Sequence, residues 1–288
     1  MKLIISNNKK VDLTFPKVMG ILNVTPDSFF DGGKYNKVSC AVDRVFYMIK
    51  NGATFIDIGG ESTRPGSDIV EEEEEMDRVI PIIEALASRF DTIISVNTSR
   101  TLVMKQSLLV GAHLINDVRC FSEKGSLDVI SKFRIPICLV HMKGTPKTMQ
   151  RKPNYNNIVS EIKDFFSEKI SYFELHGINK SKLLLDPGFG FGKTVSHNYD
   201  LLSNLKEFNC FELPILVGMS RKSMISKFLN VSFDKCMLGS ITCAVIAAMQ
   251  GAKIIRTHDV KETMDALHIV SYILKKSNKF NNKDTNKC

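Results

Sequence analysis

Short apolar runs rich in β-branched residues recur along the chain and are separated by longer segments. The first run opens the segment MGILNVTPDSFFDGG, from Met19 to Gly33. The others are Phe55 to Ile58, Thr92 to Val96, His113 to Ile115, Pro136 to Val140, Leu183 to Leu185, Pro214 to Val217 and Lys253 to Ile255. Several intervening segments carry apolar residues at helical spacing, for example Val42, Val45, Phe46 and Ile49. This alternation predicts parallel strands joined by crossover helices.

Each of the eight predicted strands ends in polar side chains that can bind or react. Asn23 follows the first strand, Asn97 the third and Asp186 the sixth. Eight such units in 288 residues fit a single-domain (β/α)8 TIM barrel, whose usual size is roughly 250 residues and whose active site lies at the carboxyl ends of its strands. The alternative is a doubly wound open sheet, which has the same alternation but rarely carries polar residues at every strand end.

The composition indicates one globular domain in a reducing compartment. The chain is 43% hydrophobic and 24% charged, and it contains no segment typical of a signal peptide or a transmembrane helix. Its seven cysteines form no CxxC pair, which favours reduced thiols and a cytoplasmic location. We therefore expect the barrel to occupy residues 1–275, without association with a membrane.

The formal net charge of +8 raises the question of nucleic-acid binding. Part of the excess lies in residues 276–288, whose basic, polar composition is typical of a disordered tail. The other basic residues form no nucleic-acid-binding motif, so we expect a small anionic substrate instead. The acidic run from Glu71 to Glu75 precedes an apolar helical pattern and indicates a solvated helix start.

The glycine-rich string DPGFGFGKT, from Asp186 to Thr194, is similar to a phosphate-binding loop but fails its spacing. A Walker A loop requires glycine where this chain has Pro187, and the glycines do not fit GxGxxG either. The glycines favour sharp turns and a close approach of the backbone to a ligand beside Asp186. His141 belongs to no metal-binding pair, and a lone histidine of this kind is typical of a structural role.

Six motifs resemble, in order, the signatures of bacterial dihydropteroate synthases. They are MGILNVTPDSFFDGG, IDIGGESTRPG, LINDVR, LLLDPGFGFGK, LVGMSRKS and IIRTHDV. The resemblance implies a (β/α)8 barrel, a homodimer, and the condensation of 6-hydroxymethyl-7,8-dihydropterin diphosphate with 4-aminobenzoate. Diphosphate leaves in this reaction, which requires Mg²⁺ and makes 7,8-dihydropteroate for folate biosynthesis. It proceeds in an SN1-like manner without a covalent enzyme intermediate.

A pterin carries a guanidine-like edge, and a carboxylate can accept two of its N–H groups side by side. Asp186 at the end of the sixth strand is the candidate for this contact. The resemblance implies that Thr63, Asn97, Asn116 and Lys222 complete the pterin contacts.

Arg256 and His258, one residue apart at the end of the eighth strand, are expected to point the same way and to bind the diphosphate together. The resemblance places Asn23 with them, as a ligand of Mg²⁺ through its side-chain oxygen. It makes Asn23, Lys222, Arg256 and His258 the catalytic residues. It assigns the 4-aminobenzoate site to Phe29, Thr63, Pro65, Ser220 and Lys222, where sulfonamides would compete, with residues 25–33 closing over the amine.

One departure from the family pattern concerns the pterin site. Family members normally carry Asp in the motif SVDT, whereas this chain has Asn97. A carboxylate would stabilise cationic character in the ring, so we expect a slower enzyme. Two alternatives stay open, namely a pterin-binding paralogue without synthase activity and a corrinoid-type, pterin-dependent methyltransferase.

Overall fold

A barrel of eight parallel strands forms the centre of the computed structural model, which describes residues 1–6, 9–24, 34–61, 70–145 and 148–284. Its strands are β3 (Lys17–Asn23), β4 (Ala53–Gly59), β5 (Ile93–Asn97), β6 (Leu114–Asp117), β7 (Ile137–Val140), β8 (Leu183–Asp186), β9 (Leu216–Gly218) and β10 (Ile254–Thr257). Their order around the barrel is β8-β7-β6-β5-β4-β3-β10-β9. Leu185 pairs with Ile215, and its N–H donates to Pro214 O at 3.0 Å. These contacts join β8 to β9, so the predicted (β/α)8 barrel is confirmed and the open sheet is excluded.

Helices follow the strands in alternation. The helices of the described ranges are α1 (Lys34–Lys50), α2 (Glu72–Ala87), α3 (Thr101–Leu109), α4 (Ser126–Phe133), α5 (Ile158–Leu175), α6 (Val195–Ser203), α7 (Ser223–Leu229), α8 (Met237–Met249) and α9 (Val260–Asp284). Short 3-10 segments within the described ranges occupy Lys180–Lys182, Leu205–Phe211 and Phe233–Cys236. The outward-facing residues of the strands pack against these helices in one large apolar cluster.

A second apolar cluster fills the barrel interior, and every barrel strand contributes to it. One layer consists of Met19, Phe55, Ile93, Leu114, Cys138, Leu184, Leu216 and Ile254, and Val140 of β7 belongs to the cluster as well. An N-terminal hairpin covers this layer from below, and its strands are β1 (Lys2–Ile4) and β2 (Lys10–Asp12). Leu3, Ile5, Val11 and Leu13 from the hairpin belong to the same cluster. The hairpin therefore closes the amino-terminal end of the barrel and leaves the carboxyl-terminal end to the polar residues.

The acidic run occupies the start of α2, as predicted, but its last member is not solvated. Only 1% of Glu75 is exposed. A Cβ built on Gly60 would lie 2.9 Å from Glu75 Cγ, so the side chain lies against the turn after β4. The expectation of a wholly solvated helix start is wrong at this residue, because α2 packs over the end of β4.

The last helix runs through Asp284 and so includes residues 276–284 of the predicted tail. Since residues 260–284 contain neither glycine nor proline, no residue type in this segment would end the helix. Residues 285–288 lie outside the described residues.

Among the described residues, no single helix is long and apolar enough to cross a membrane. The bent pair Ser223–Leu229 and Phe233–Met249 passes that test together by length and composition only.

Candidate active site

Polar side chains form the next layer of the barrel interior, two residues beyond the apolar layer. They are Asp57, Ser95, Asn116, Asp186 and Arg256. Because side chains alternate between the two faces of a strand, residues two positions after an inward-facing residue also face inward. The candidate site therefore lies on top of an apolar floor, at the carboxyl ends of the strands, where the sequence predicts it.

Three asparagines lie side by side at this edge of the barrel. Asn97 is the register partner of Asn116, and Gly59 lies between Asn97 and Asn23. Asn97 and Asn116 are both buried, 9% and 3% exposed. Asn116 Oδ1 has no hydrogen-bond partner within the described part of the chain. A buried oxygen without a partner costs free energy, so it fits an acceptor reserved for a ligand.

Asp186 and Lys222 form the charged centre of the site. Asp186 is 6% exposed and accepts a hydrogen bond from Gly188 N at 2.8 Å. Burial raises the pKa of Asp186, while the charge of Lys222 opposes this shift. Burial also lowers the pKa of Lys222 to about 8, against the attraction of Asp186. Lys222 Nζ donates to Phe189 O at 2.6 Å and lies 4.4 Å from the centre of the Phe191 ring.

Arg256 is held by a carboxylate that the sequence analysis did not single out. Its Nε lies 2.6 Å from Asp57 Oδ2, and Ser95 Oγ donates to Asp57 Oδ1 at 2.5 Å. Asp57 is fully buried, so the ion pair fixes the guanidinium in the interior. A charged residue two positions after the inward-facing Phe55 is the sequence signal that could have identified it.

His258 lies one residue beyond β10, which ends at Thr257. Its position depends on Ser220, whose Oγ is 3.0 Å from His258 Nδ1 and accepts from His258 N at 3.2 Å. Strand alternation predicts that the side chains of Arg256 and His258 point to the same side. This stays a prediction, because only Arg256 belongs to the strand. An ion pair between Arg221 and Asp259 joins the same two loops.

The glycine-rich segment after β8 makes the sharp turns that the sequence predicts. Gly188, Gly190 and Gly192 all have positive φ angles, of 73°, 81° and 64°. A Cβ on Gly188 would lie only 1.9 Å from His141 O. His141 itself is buried, and its Nδ1 lies 3.0 Å from Lys193 Nζ. This contact agrees with the structural role predicted for His141.

Phe29, Thr63 and Pro65, predicted for the 4-aminobenzoate site, lie outside the described residues, as does the segment 25–33. Of that predicted set, the structure places Ser220 and Lys222 in the loop after β9. The two are separated only by Arg221, whose φ of 53° is left-handed.

Asn23, at the end of β3, offers one side-chain oxygen. This fits a hard cation that takes most of its ligands from elsewhere. No group of three His, Cys, Asp or Glu side chains that could hold a metal occurs in the described residues. Asn23 Oδ1 lies 4.0 Å from a Cβ built on Gly59, at the edge of the candidate site. A single amide oxygen from the protein is compatible with Mg²⁺, which keeps several waters and takes further ligands from substrate phosphates.

A family model described as pterin binding enzyme matches residues 19–258. The dihydropteroate synthase of Escherichia coli (strain K12) is 56% identical over 274 residues, which cover 95% of this chain and 97% of that protein.

Solved structures agree with this comparison. Yersinia pestis dihydropteroate synthase, in a sulfonamide drug complex, has a TM-score of 0.91 and 54% identity, over 96% of this chain and 100% of that one. Xanthomonas albilineans dihydropteroate synthase with 4-aminobenzoic acid has a TM-score of 0.89 and 40% identity, over 95% and 98% of the two chains. The residues that match the family model include the carboxyl ends of all eight barrel strands.

Proposed function

The chain belongs to the dihydropteroate synthases, a family of pterin-binding transferases of folate biosynthesis, and from this membership we propose how its own residues perform the reaction. In the proposal, 6-hydroxymethyl-7,8-dihydropterin diphosphate and 4-aminobenzoate bind at the carboxyl ends of the strands. The observation that carries it is the buried carboxylate of Asp186, which lies above the apolar floor near the half-buried Lys222 and the unpartnered Asn116 Oδ1.

The pterin ring binds against Asp186, Asn116 and Lys222. The carboxylate of Asp186 accepts two N–H groups from the guanidine-like edge of the ring, and such charge-assisted bidentate contacts are strong. Lys222 opposes the rise in the pKa of Asp186 that burial causes, so it favours the ionised form that accepts both hydrogen bonds. Asn116 supplies a further acceptor to the ring.

The diphosphate binds to Arg256 and His258. Asp57 holds the guanidinium of Arg256 through Nε, which leaves the terminal nitrogens available for phosphate oxygens. Ser220 Oγ lies 3.0 Å from His258 Nδ1 and orients the imidazole, so that Nε2 can donate to the leaving group. These groups neutralise the charge that develops as the diphosphate departs.

Asn23 would hold Mg²⁺ through its side-chain oxygen at the end of β3. When bound, the ion supplies charge neutralisation to the diphosphate oxygens. Asn23 would contribute a single oxygen ligand to the ion, and the other residues of the site would orient the substrate.

The substitution is SN1-like. The bond between the pterin methylene carbon and the diphosphate oxygen breaks first, and both bonding electrons leave with the diphosphate. The cation spreads into the ring, the nitrogen of 4-aminobenzoate attacks the methylene carbon, and a proton is lost from that nitrogen. No covalent enzyme intermediate is needed. Asn97 is neutral where the family pattern has Asp, so it stabilises this cation less and turnover is slower.

The amine substrate binds near Ser220 and Lys222, with Phe29, Thr63 and Pro65 as further proposed contacts. Support comes from the relative from Xanthomonas albilineans, which was solved with 4-aminobenzoic acid. The relative from Yersinia pestis was solved in a sulfonamide drug complex, so we expect sulfonamides to compete with 4-aminobenzoate here.

The chain is proposed to act as a homodimer through a surface formed by α7, α8 and α9. Exposed apolar side chains concentrate on these helices: Phe228, Leu229, Met237, Leu238, Ile246, Met249, Ile269, Tyr272 and Ile273. α8 and α9 pack against each other, so their exposed apolar residues lie on neighbouring helices, and a concentration of this kind is typical of a protein interface. A second copy of the same chain matches such a patch in a two-fold, self-complementary arrangement.

The cytoplasmic location expected from the sequence also stands as a proposal. Cysteines 40, 120, 138, 210, 236 and 243 are all free thiols, which is typical of a reducing compartment.

Calorimetry with two ligands tests the proposed division of the site. The ligands are the hydroxymethyl dihydropterin with and without its diphosphate. Asp186→Asn should weaken the binding of both ligands, whereas Arg256→Met should weaken only the binding of the pterin that carries the diphosphate. Equal losses for both ligands in Arg256→Met would refute the division. Tight binding without any product after addition of 4-aminobenzoate would favour the inactive paralogue.

A further inference from the structure

Lys193 is a buried lysine for which the proposed reaction has no use. It ends the glycine-rich segment after β8 and is 3% exposed. Lysine is almost never fully buried unless it is paired. Its environment therefore calls for an explanation.

Three acceptors surround the Lys193 ammonium. Nζ donates to Gly188 O at 2.8 Å and to Phe191 O at 3.2 Å, and it lies 3.0 Å from His141 Nδ1. Burial and the nearby lysines lower the pKa of His141 to about 2, so the imidazole is neutral and Nδ1 can accept. An ammonium group has three donors, and each of them has one partner here.

Gly188 and Phe191 belong to the same tight loop, residues 187–193. Phe191 N donates to Gly188 O at 3.1 Å, and Lys193 adds a second donor to that carbonyl. His141 N in turn donates to Asp186 O at 2.9 Å. Lys193 therefore joins Gly188 and Phe191 of the loop to His141, the residue directly after β7.

The same loop forms the surroundings of the two charged pterin residues. Phe189 O accepts from Lys222 Nζ, and the Phe191 ring lies 4.4 Å from that nitrogen. Gly188 N donates to Asp186 Oδ1 at 2.8 Å. The backbone held by Lys193 is thus the backbone that contacts Asp186 and Lys222.

We propose that Lys193 is a positioning residue for the pterin site, which fixes the loop 187–193 and through it the ammonium of Lys222 and the carboxylate of Asp186. The inference rests on the proposed function, since it takes Asp186 and Lys222 as the pterin contacts. Lys193 itself touches no substrate.

The charge of Lys193, like its hydrogen bonds, favours an Asp186 side chain that can bind the pterin ring. Burial raises the pKa of Asp186, and Lys193 is among the cations that oppose this rise. Burial lowers the pKa of Lys193, and Asp186 opposes that shift. Each charge therefore favours the ionised form of the other, and the ionised Asp186 is the form that binds the ring.

Lys193→Met is the direct test, because it keeps an unbranched side chain that is one heavy atom shorter and removes all three donors. Binding of the hydroxymethyl dihydropterin without diphosphate should weaken roughly tenfold to a hundredfold, the range expected when hydrogen bonds to a charged group are weakened. Binding of inorganic diphosphate with Mg²⁺ should stay the same, since Arg256 lies in β10 and His258 directly after it, outside the loop that Lys193 holds. A loss of folded protein would instead reduce the fraction of molecules that bind either ligand.

Lys182→Met is the matched control. Lys182 Nζ also donates to backbone carbonyls, Ile4 O at 2.9 Å and Ile5 O at 3.4 Å, but it does so at the amino-terminal end of the barrel. Pterin binding should be unchanged in this variant.

Two variants of His141 carry the test if Lys193→Met does not fold. His141→Asn keeps an acceptor oxygen near the place of Nδ1, and His141→Leu removes it. The leucine variant should bind the pterin more weakly than the asparagine variant, with equal diphosphate binding. Equal pterin affinity in the two variants, or an unchanged affinity in Lys193→Met, would overturn the proposal.

Asp186→Asn separates this inference from the proposed function. If this variant binds the pterin normally, the pterin site itself is misassigned. If it loses the pterin while Lys193→Met keeps it, only the role of Lys193 is refuted.

Discussion

Replacing Glu75 by glutamine should stabilise the folded protein at pH 8 much more than at pH 5. Burial raises the pKa of the Glu75 carboxyl from 4.5 to about 7; Glu61 and Glu72 raise it further, and Thr98 and Arg100 oppose the shift. Arg100 Nε lies 3.5 Å from Glu75 Oε2. The folded chain therefore binds a proton at Glu75 more tightly than the unfolded chain does.

The sign and size of the effect follow from this difference. A carboxyl with a raised folded pKa contributes stability at low pH, which is lost as the pH rises from 4.5 to 7 and is fully lost above 7. With about 1.36 kcal/mol for each pKa unit, the loss is about 1 kcal/mol at pH 5 and about 3 kcal/mol at pH 8. Glutamine does not ionise, so Glu75→Gln avoids this loss.

Urea unfolding of the wild type and Glu75→Gln between pH 5 and pH 8 measures this difference. We expect the stability gain of the variant to grow by about 2 kcal/mol over that range. Glu73→Gln is the matched control, because Glu73 is exposed in the same helical turn, and surface changes stay within about 0.5 kcal/mol. A gain in Glu75→Gln that does not depend on pH would show that the pKa of Glu75 is not raised in the folded protein.

Four further predictions concern the reaction and the assembly. Asp57→Asn, which removes the ion pair with Arg256, should lower kcat/KM for the pterin diphosphate roughly tenfold to a hundredfold, while calorimetry should show normal binding of the pterin without diphosphate. Weakened binding of the pterin without diphosphate would contradict the role of Asp57 in positioning Arg256. Asn97→Asp should raise turnover by up to roughly 10²-fold in a steady-state diphosphate-release assay, and an equal or lower rate would remove our explanation of the departure. Asn23→Ala should increase the Mg²⁺ concentration needed for half-maximal rate, whereas an unchanged Mg²⁺ titration would exclude this residue as a ligand. Leu238→Glu should convert the proposed homodimer to a monomer in sedimentation velocity, whereas Leu175→Glu, on the exposed face of α5, should leave the proposed homodimer intact. A dimeric Leu238→Glu would place the interface elsewhere.

The barrel could be predicted because each strand carries its own local signal. Apolar, β-branched runs end at polar residues, and this pattern needs no knowledge of long-range contacts. The hairpin of β1 and β2 was not predicted, since each strand has only three residues. Its apolar side chains have a role only once the barrel interior exists for them to cover.

Site residues at strand ends could be predicted for the same reason, but their supporting residues could not. Asp57 lies within a predicted apolar strand, and its partner Arg256 is 199 positions away. The sequence shows Lys193 only as part of a motif that fails the spacing of a phosphate-binding loop. Its structural role could not be predicted, because two of its three partners are backbone carbonyls, which leave no signal in the sequence. Glu75 resembled its four acidic neighbours, and only the packing of α2 over Gly60 distinguishes it.

A product assay with the purified protein, the pterin diphosphate, 4-aminobenzoate and Mg²⁺ tests the synthase reaction itself. We expect one molecule of diphosphate to be released for each molecule of 7,8-dihydropteroate formed. We also expect no 7,8-dihydropteroate when either substrate is left out, and a severe loss of rate in Asp186→Asn. Binding of the pterin diphosphate without formation of 7,8-dihydropteroate would show that the protein does not catalyse this reaction.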